Sequence, residues 1–331
     1  MTYTYNNVFV KNSFTIGGMY EKDGPLGKYF DKTYKKDLYF GEDTWEKAEI
    51  KLLKEAITKL IKKESLANND IDLIISGDLQ NQISSSDYAI RNMNIAFLGV
   101  YNACATMAEA IITGATFIDG NKIKNCIVST SSHNMVAEKQ FRNPTEYGTP
   151  KPKTATFTAT GAVAVLLSNT KTNIKIESST IGKVVDLNMT DVNHMGAVMA
   201  PAAAETIYEH LTSLKRNYDY YDLIVTGDLG LYGKNILLDY LKIKYNLDIS
   251  KNYNDCGTML YDLDKQPVLA GGSGPVCSAL VTFGYILKQM ENKKLKKVLI
   301  VPTGALFSPT LVFQKESIPA IAHAISMEVV E

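Results

Sequence analysis

The sequence predicts an α/β protein built from two similar halves packed together, and three observations predict it. First, Tyr221-Asp222-Leu223-Ile224-Val225-Thr226-Gly227-Asp228-Leu229 repeats Ile71-Asp72-Leu73-Ile74-Ile75-Ser76-Gly77-Asp78-Leu79 almost position for position. Second, each copy is followed by an uncharged stretch that reads as a strand, a small-residue turn and a buried helix, Ile95 to Ala108 and then Val268 to Leu287. Third, each stretch is followed by an apolar strand flanked by lysine, Lys124 to Thr130 and Lys297 to Thr303. Three landmarks recurring in one order indicate a tandem duplication, with halves at 1–170 and 171–331. Strand and helix patterns alternate within each half, which predicts mostly parallel sheets covered by helices, with a site where the loops of the two halves meet.

The chain of 331 residues is long enough for two core-sized units. Lys+Arg and Asp+Glu balance at 35 each, so net charge gives no reason to expect nucleic acid. Four cysteines, Cys104, Cys126, Cys256 and Cys277, form no C-x-x-C pair, which argues against a metal knuckle or disulfide framework and fits a reducing compartment. The start, MTYTYNNVFVKNS, lacks a basic region before an apolar core, so no signal peptide is expected. Gln266 to Leu287 carries no charge, but Gly271-Gly272-Ser273-Gly274-Pro275 would break a lipid-exposed helix at its centre. Any membrane contact is therefore expected to be peripheral, through a partner.

Asp43-Thr44-Trp45-Glu46 reads as a capped helix start, with Asp43 as the cap and Glu46 three residues on. The helix should run to about Lys63, with Trp45, Ala48, Leu52, Leu53, Ala56, Ile57 and Leu60 on its apolar face. Asp70 to Asp78 reads as a buried strand ending in a loop. Ile95 to Val100 is a short apolar run, and Met107, Ala108, Ile111, Ile112, Ala115 and Ile118 give helical spacing after the turn Tyr101 to Ala105. Residues 138–158 form a polar stretch with three prolines, the pattern of a functional cover or a surface loop. Ala162 to Leu167 and Lys171 to Ile181 are strands.

Cys104 stands at the start of the buried helix of the first half. A helix N-terminus stabilises thiolate over thiol and so favours a nucleophile there, whereas a free cysteine is also an ordinary small buried residue. Residue pattern alone leaves both readings open.

Gly24-Pro25-Leu26-Gly27, Asn102-Ala103-Cys104, Ser131-Ser132-His133-Asn134, Gln140 to Gly148, Ala200 to Ala204, Asn254-Asp255-Cys256-Gly257 and Lys315-Glu316-Ser317-Ile318-Pro319 lie along nearly the whole chain. The duplicated halves with Cys104 resemble the thiolase fold. These segments resemble, more closely, the stage V sporulation protein AD family of spore-forming bacteria. The resemblance implies a five-layered α-β-α-β-α arrangement and binding of dipicolinic acid (pyridine-2,6-dicarboxylic acid), with no cofactor. It further implies membrane-protein partners of sporulation, which move the acid with calcium into the developing spore, a cytoplasmic place at the spore inner membrane, and dimerisation typical of the fold.

Condensing enzymes of the thiolase fold need a second-half histidine and an asparagine or second histidine beside the cysteine, to polarise a thioester and handle protons. The rough alignment puts Gly227-Asp228 and Gly272-Ser273 at those positions. The expectation is a pocket that keeps Cys104 as a vestigial nucleophile and binds without reacting, its other members being His133, Arg142, Gly227, Gly272, Ser273 and Lys315. Arg142 and Lys315 are candidates for carboxylate contact or for surface ion pairs, and His133 for the pocket wall. Helix N-termini at Cys104 and after Gly274 are expected to add N–H donors. Asp78 and Asp228 are expected to cap loops, His323 to be packed and hydrogen-bonded, and His194 and His210 to lie at the surface. An active condensing enzyme using His133 as base, and a structural adaptor for membrane partners, are the alternatives.

Overall fold

The computed structural model describes residues 1–141 and 150–331. Ten strands form the spine of one large sheet. They are β1 (Phe9–Gly17), β2 (Leu73–Gly77), β3 (Phe97–Gly99), β4 (Asn125–Ser132), β5 (Gly161–Ser168), β6 (Ile174–Ile181), β7 (Leu223–Thr226), β8 (Tyr253–Asp255), β9 (Lys297–Val301) and β10 (Ala320–Val329). Their order is β8-β7-β9-β10-β6-β1-β5-β4-β2-β3. The middle is thin, because β1 and β6 share the single pair Phe9 and Lys175. Residues 9–168 thus supply one flank and residues 174–329 the other. The chain start crosses over, with Thr2–Thr4 antiparallel to the end of β6.

The two flanks repeat one pairing scheme. β2 runs parallel to β3 and β4, as β7 does to β8 and β9. The strands nearer the middle are antiparallel: β4 to β5 and β5 to β1, then β9 to β10 and β10 to β6. The sheet is therefore mixed, and the expectation of mostly parallel pairing is corrected. Apolar runs such as Leu73-Ile74-Ile75 report only burial on both faces, which helices on both sides impose whatever the strand direction.

The main helices are α1 (Trp45–Lys63), α2 (Thr106–Asp119), α3 (Asn134–Phe141), α4 (Met195–Ser213), α5 (Gly230–Tyr245) and α6 (Pro275–Leu280), the last continuing through a π-helical stretch to Glu291. Strand alternation assigns them to layers. Ile74 and Ile127 face outward onto Leu52, Leu53, Ala56 and Ile57 of α1. Ile75 and Val128 face inward, onto Met107, Ile111 and Ala115 of α2 and Val276 and Leu280 of α6. Val225, Val298 and Ile300 close on the same inner helices from the other flank. Ile224, Leu299 and Val301 turn outward onto Ala203, Ile207 and Leu237 of α4 and α5. The result is the five-layered α-β-α-β-α stack implied by the resemblance, with α2 and α6 in its middle layer.

Local differences from the sequence reading have plain causes. The cap of α1 is Thr44, whose hydroxyl accepts the Lys47 N–H at 3.3 Å, while Asp43 pairs with the Lys47 ammonium at 3.1 Å. The strand expected before the glycine turn does not form; the pairing before α6 is Gly272–Ser273, inside that turn, against Phe157–Thr158. The stretch 138–158 begins inside α3 and ends in that same short pairing. No helix among the described residues is long and apolar enough to cross a membrane.

Candidate functional site

A cavity of about 190 Å³ opens where loops of the two flanks converge, and Cys104 and Ser273 lie in its wall. Cys104 is presented by a tight turn. Ala103 adopts a left-handed conformation, φ +48°, which costs an L-residue roughly 1–2 kcal/mol. Gly304 makes the turn possible, since a Cβ there would lie 2.5 Å from the Asn102 carbonyl oxygen. Cys104 itself is half-buried at the start of α2.

The helix N-terminus does not yield a thiolate. Burial, and then the Asp228 carboxyl against it, hold the Cys104 thiol well above its ordinary value, opposed by the Gly274 N–H and the Ser273 hydroxyl. Asp228 ends the loop after β7. Its Oδ2 accepts the Gly274 N–H at 3.1 Å and its Oδ1 accepts the Thr303 hydroxyl at 2.7 Å. The Cys104 thiol lies near it. Burial pushes its carboxyl up to about 7, with Asp255 adding to the push. Asp228 therefore occupies the N-terminus of α6, and the N–H expected there for a ligand is taken.

The expected site residues separate. Cys104 and Ser273 meet in the cavity wall. Gly227 and Gly272 lie behind it as packing positions. A Cβ on Gly227 would stand 2.9 Å from Pro302 Cα, and one on Gly272 would stand 2.9 Å from both the Cys277 sulfur and the Tyr261 ring. His133 is buried outside the cavity: its Nε2 bonds the Leu38 carbonyl at 2.7 Å, Nδ1 accepts the Met135 N–H, and burial lowers its pKa. Lys315 is exposed on the turn after Pro309–Phe313, away from the cavity. Arg142 lies outside the described residues.

The remaining histidines are not surface groups as a set. His210 is fully buried in α4, its two ring nitrogens bonded to Thr180 Oγ1 at 2.8 Å and Tyr221 OH at 2.7 Å. His194 caps α4, accepting the Ala197 N–H. His323 is packed as expected, with Nδ1 on the Gly182 N–H and Nε2 2.8 Å from Asn102 Nδ2. It thus braces the turn that carries Cys104. Among the described residues no histidine lines the cavity. Asp78 does cap, as expected: it accepts the Gln80 and Ser86 N–H groups and the Ser86 hydroxyl.

Sequence reasoning missed much of the wall. Lys151 and Glu138, an ion pair, face the cavity from residues flanking 142–149. Phe141 and Phe307, ring centres 5.6 Å apart, and Tyr101 supply aromatic surface, with Thr156, Thr158 and Asn193 as neutral polar groups. Placement of Lys151 within the 138–158 cover was the one signal available. Chemically, the wall offers flat apolar faces, one paired ammonium, hydroxyls and a protonated thiol.

The family model for stage V sporulation protein AD matches residues 2–328. The chain belongs to the stage V sporulation protein AD family. Stage V sporulation protein AD of Bacillus subtilis (strain 168) is 47% identical over 321 residues, covering 97% of this chain and 94% of that protein. Among solved structures, the chain is similar to a single-residue variant of OleA from Xanthomonas campestris, with 13% identity and a TM-score of 0.62 over 98% of this chain and 99% of that one. It is also similar to 3-oxoacyl-[acyl-carrier-protein] synthase III from Aquifex aeolicus VF5, with 13% identity and a TM-score of 0.52 over 99% and 100%. At such identity these neighbours show the fold alone, and it is thiolase-like. The family thus joins a name from sporulation to the fold of condensing enzymes.

Proposed function

We propose that the Cys104 cavity binds dipicolinic acid without reacting with it, and that the chain serves uptake of the acid, with calcium, into the developing spore. In this reading it works as a peripheral protein of the spore inner membrane beside other stage V sporulation membrane proteins. The observation that carries the non-catalytic half is the setting of Cys104, where burial and the nearby Asp228 carboxyl both raise the thiol's pKa. A condensing cysteine needs a partner that removes its proton and donors that hold an oxyanion. A buried carboxyl does the opposite to a thiol, raising its pKa, and one missing oxyanion donor alone costs about 100- to 1000-fold in rate.

The wall supports the ligand half. A planar pyridine ring suits the faces of Phe141, Phe307 and Tyr101. Carboxylates suit the Lys151 ammonium and the hydroxyls of Ser273, Thr156 and Thr158. Calorimetry of the purified protein with dipicolinic acid tests the reading: saturable binding is expected, and no heat at millimolar acid contradicts it. Turnover of acyl-CoA with acylation of Cys104 would favour the condensing reading instead.

A further inference from the structure

Among the described residues the Lys151 ammonium is the only cation in the cavity wall, and it already holds a carboxylate. Glu138 pairs with it from α3, and both side chains line the cavity. The pair is neither deeply buried nor in open water, with the Lys151 and Glu138 side chains 24% and 20% exposed. A carboxylate arriving from solvent therefore meets an ammonium whose counterion is in place. Glu138 presents to Lys151 the same group that one arm of a dicarboxylate would.

We propose that Glu138 is a specificity-determining residue, a built-in competitor that occupies Lys151 until a ligand carboxylate displaces it. The inference rests on the reading of the cavity as a dicarboxylate site and adds which anions that site admits.

The geometry allows this exchange of partners without movement of the helix. Ala137, Glu138 and Phe141 face the cavity from α3. The rest of the helix is tied down: Lys139 pairs with Glu46 at 2.5 Å, and Gln140 donates to the Leu79 carbonyl and to Asn81 Oδ1, both at 3.0 Å. On the other side, Lys151 precedes a turn closed by the Ala155 N–H on the Pro152 carbonyl, which leads into the Phe157–Thr158 pairing. Only the two side chains need to turn. A tethered carboxylate competes at an effective concentration of about millimolar or more. Every carboxylate loses the same factor to it, so anions held by one weak contact no longer fill the site at ordinary concentrations. An anion with a second carboxylate and a flat ring has further contacts, at Ser273, Thr158 and the faces of Phe141 and Phe307, that offset the displacement.

Calorimetry of the whole protein with dipicolinic acid, and with picolinic acid, the same ring bearing one carboxylate, tests this. Glu138→Gln is expected to bind dipicolinic acid about tenfold more tightly than the unaltered protein, the scale of one charge-assisted hydrogen bond set free. It is also expected to bind picolinic acid at concentrations where the unaltered protein shows no heat. In a Lys151→Ala background the same substitution is expected to gain less than about threefold, because the competition runs through the ammonium. Weaker or unchanged binding in Glu138→Gln overturns this inference alone and leaves Glu138 as a residue that only holds Lys151 in place. A gain of about tenfold that persists without Lys151 also overturns it, in favour of simple repulsion between carboxylates. If the glutamine variant does not fold, Glu138→Ala is read in the same way. No binding of the dicarboxylate by any of these proteins overturns the dicarboxylate reading and this inference with it.

Discussion

The Asp228 carboxyl lies near the Cys104 thiol and raises its pKa, bringing the strand-end loop of the second repeat up to the turn that opens the buried helix of the first. The same loop in the first repeat ends in Asp78, which turns inward to cap Gln80 and Ser86. One duplicated Gly-Asp-Leu motif therefore does two jobs: the first copy puts Leu79 in the cavity wall, and the second puts the Asp228 carboxyl near Cys104.

Slow alkylation of Cys104 follows from that placement. A thiol whose pKa is held well above its ordinary value has little thiolate near neutrality, and that fraction falls about tenfold for every pH unit by which the pKa rises. Labelling with iodoacetamide at pH 7.5, followed by mass spectrometry, should show Cys104 reacting at least about tenfold more slowly than a free thiol. Labelling as fast as a free thiol would contradict the geometry. Cys104→Ser should largely preserve ligand binding, because a hydroxyl can make the same hydrogen bonds.

Lys151 is expected to anchor a ligand carboxylate. Lys151→Ala should weaken dipicolinic acid by about 10- to 100-fold, the scale of one charge-assisted hydrogen bond, while Lys151→Arg should keep most of the affinity. Calorimetry reads both, and an unaffected Lys151→Ala would place the carboxylates elsewhere.

Gly227 and Gly272 should behave as packing glycines. Gly227→Ala drives a methyl to 2.9 Å from the Pro302 backbone, and Gly272→Ala to 2.9 Å from Cys277 and Tyr261. Each should lose about 1–3 kcal/mol in urea denaturation, with the backbone clash at Gly227 the harder to relax. A neutral outcome at both would show that the turns have room for the larger side chains found in condensing enzymes.

The repeat made the architecture legible. Ile74/Ile75 and Ile224/Val225 are matched pairs with one residue facing out and one in, and the sequence shows that match without any fold in hand. The position of Cys104 was legible for the same reason. The wall opposite it was not. Lys151, Phe307 and Asn193 come from three distant loops, and no local period marks loops that converge only after packing. His210 misled because Glu205, Glu209, Thr212 and Ser213 surround it in sequence and read as a solvated helix end. Its partners, Thr180 and Tyr221, are supplied by a strand and by the next loop. Glu49 shares the apolar face of α1 with Leu52 and Leu53, and its partners in the core, Ser131 and Gln80, come from distant segments.

Buried carboxyls give stability a pH dependence of definite sign. Burial raises Glu21 to about 7, Asp228 to about 7 and Asp255 to about 6, and raises Glu49 as well. Unfolded, such groups titrate near about 4. The folded state binds their protons more tightly, so their contribution is full below about 4 and is lost as pH rises from there through the folded values of about 6 to 8. His210 and His323 are lowered to about 4 by burial, and their contribution is lost as pH falls below about 6.5. Scanning calorimetry should therefore show Tm declining by several degrees from pH 6.5 to 8.5. A Tm that rises steadily over that interval would contradict the buried, proton-holding state of these carboxyls.

A crystal structure of the protein soaked with dipicolinic acid tests the central claim most directly. The account predicts the acid in the Cys104 cavity, its ring against Phe141 and Phe307, a carboxylate at Lys151, and no bond between ligand and sulfur. An empty cavity at saturating acid, or a ligand covalently joined to Cys104, would contradict it.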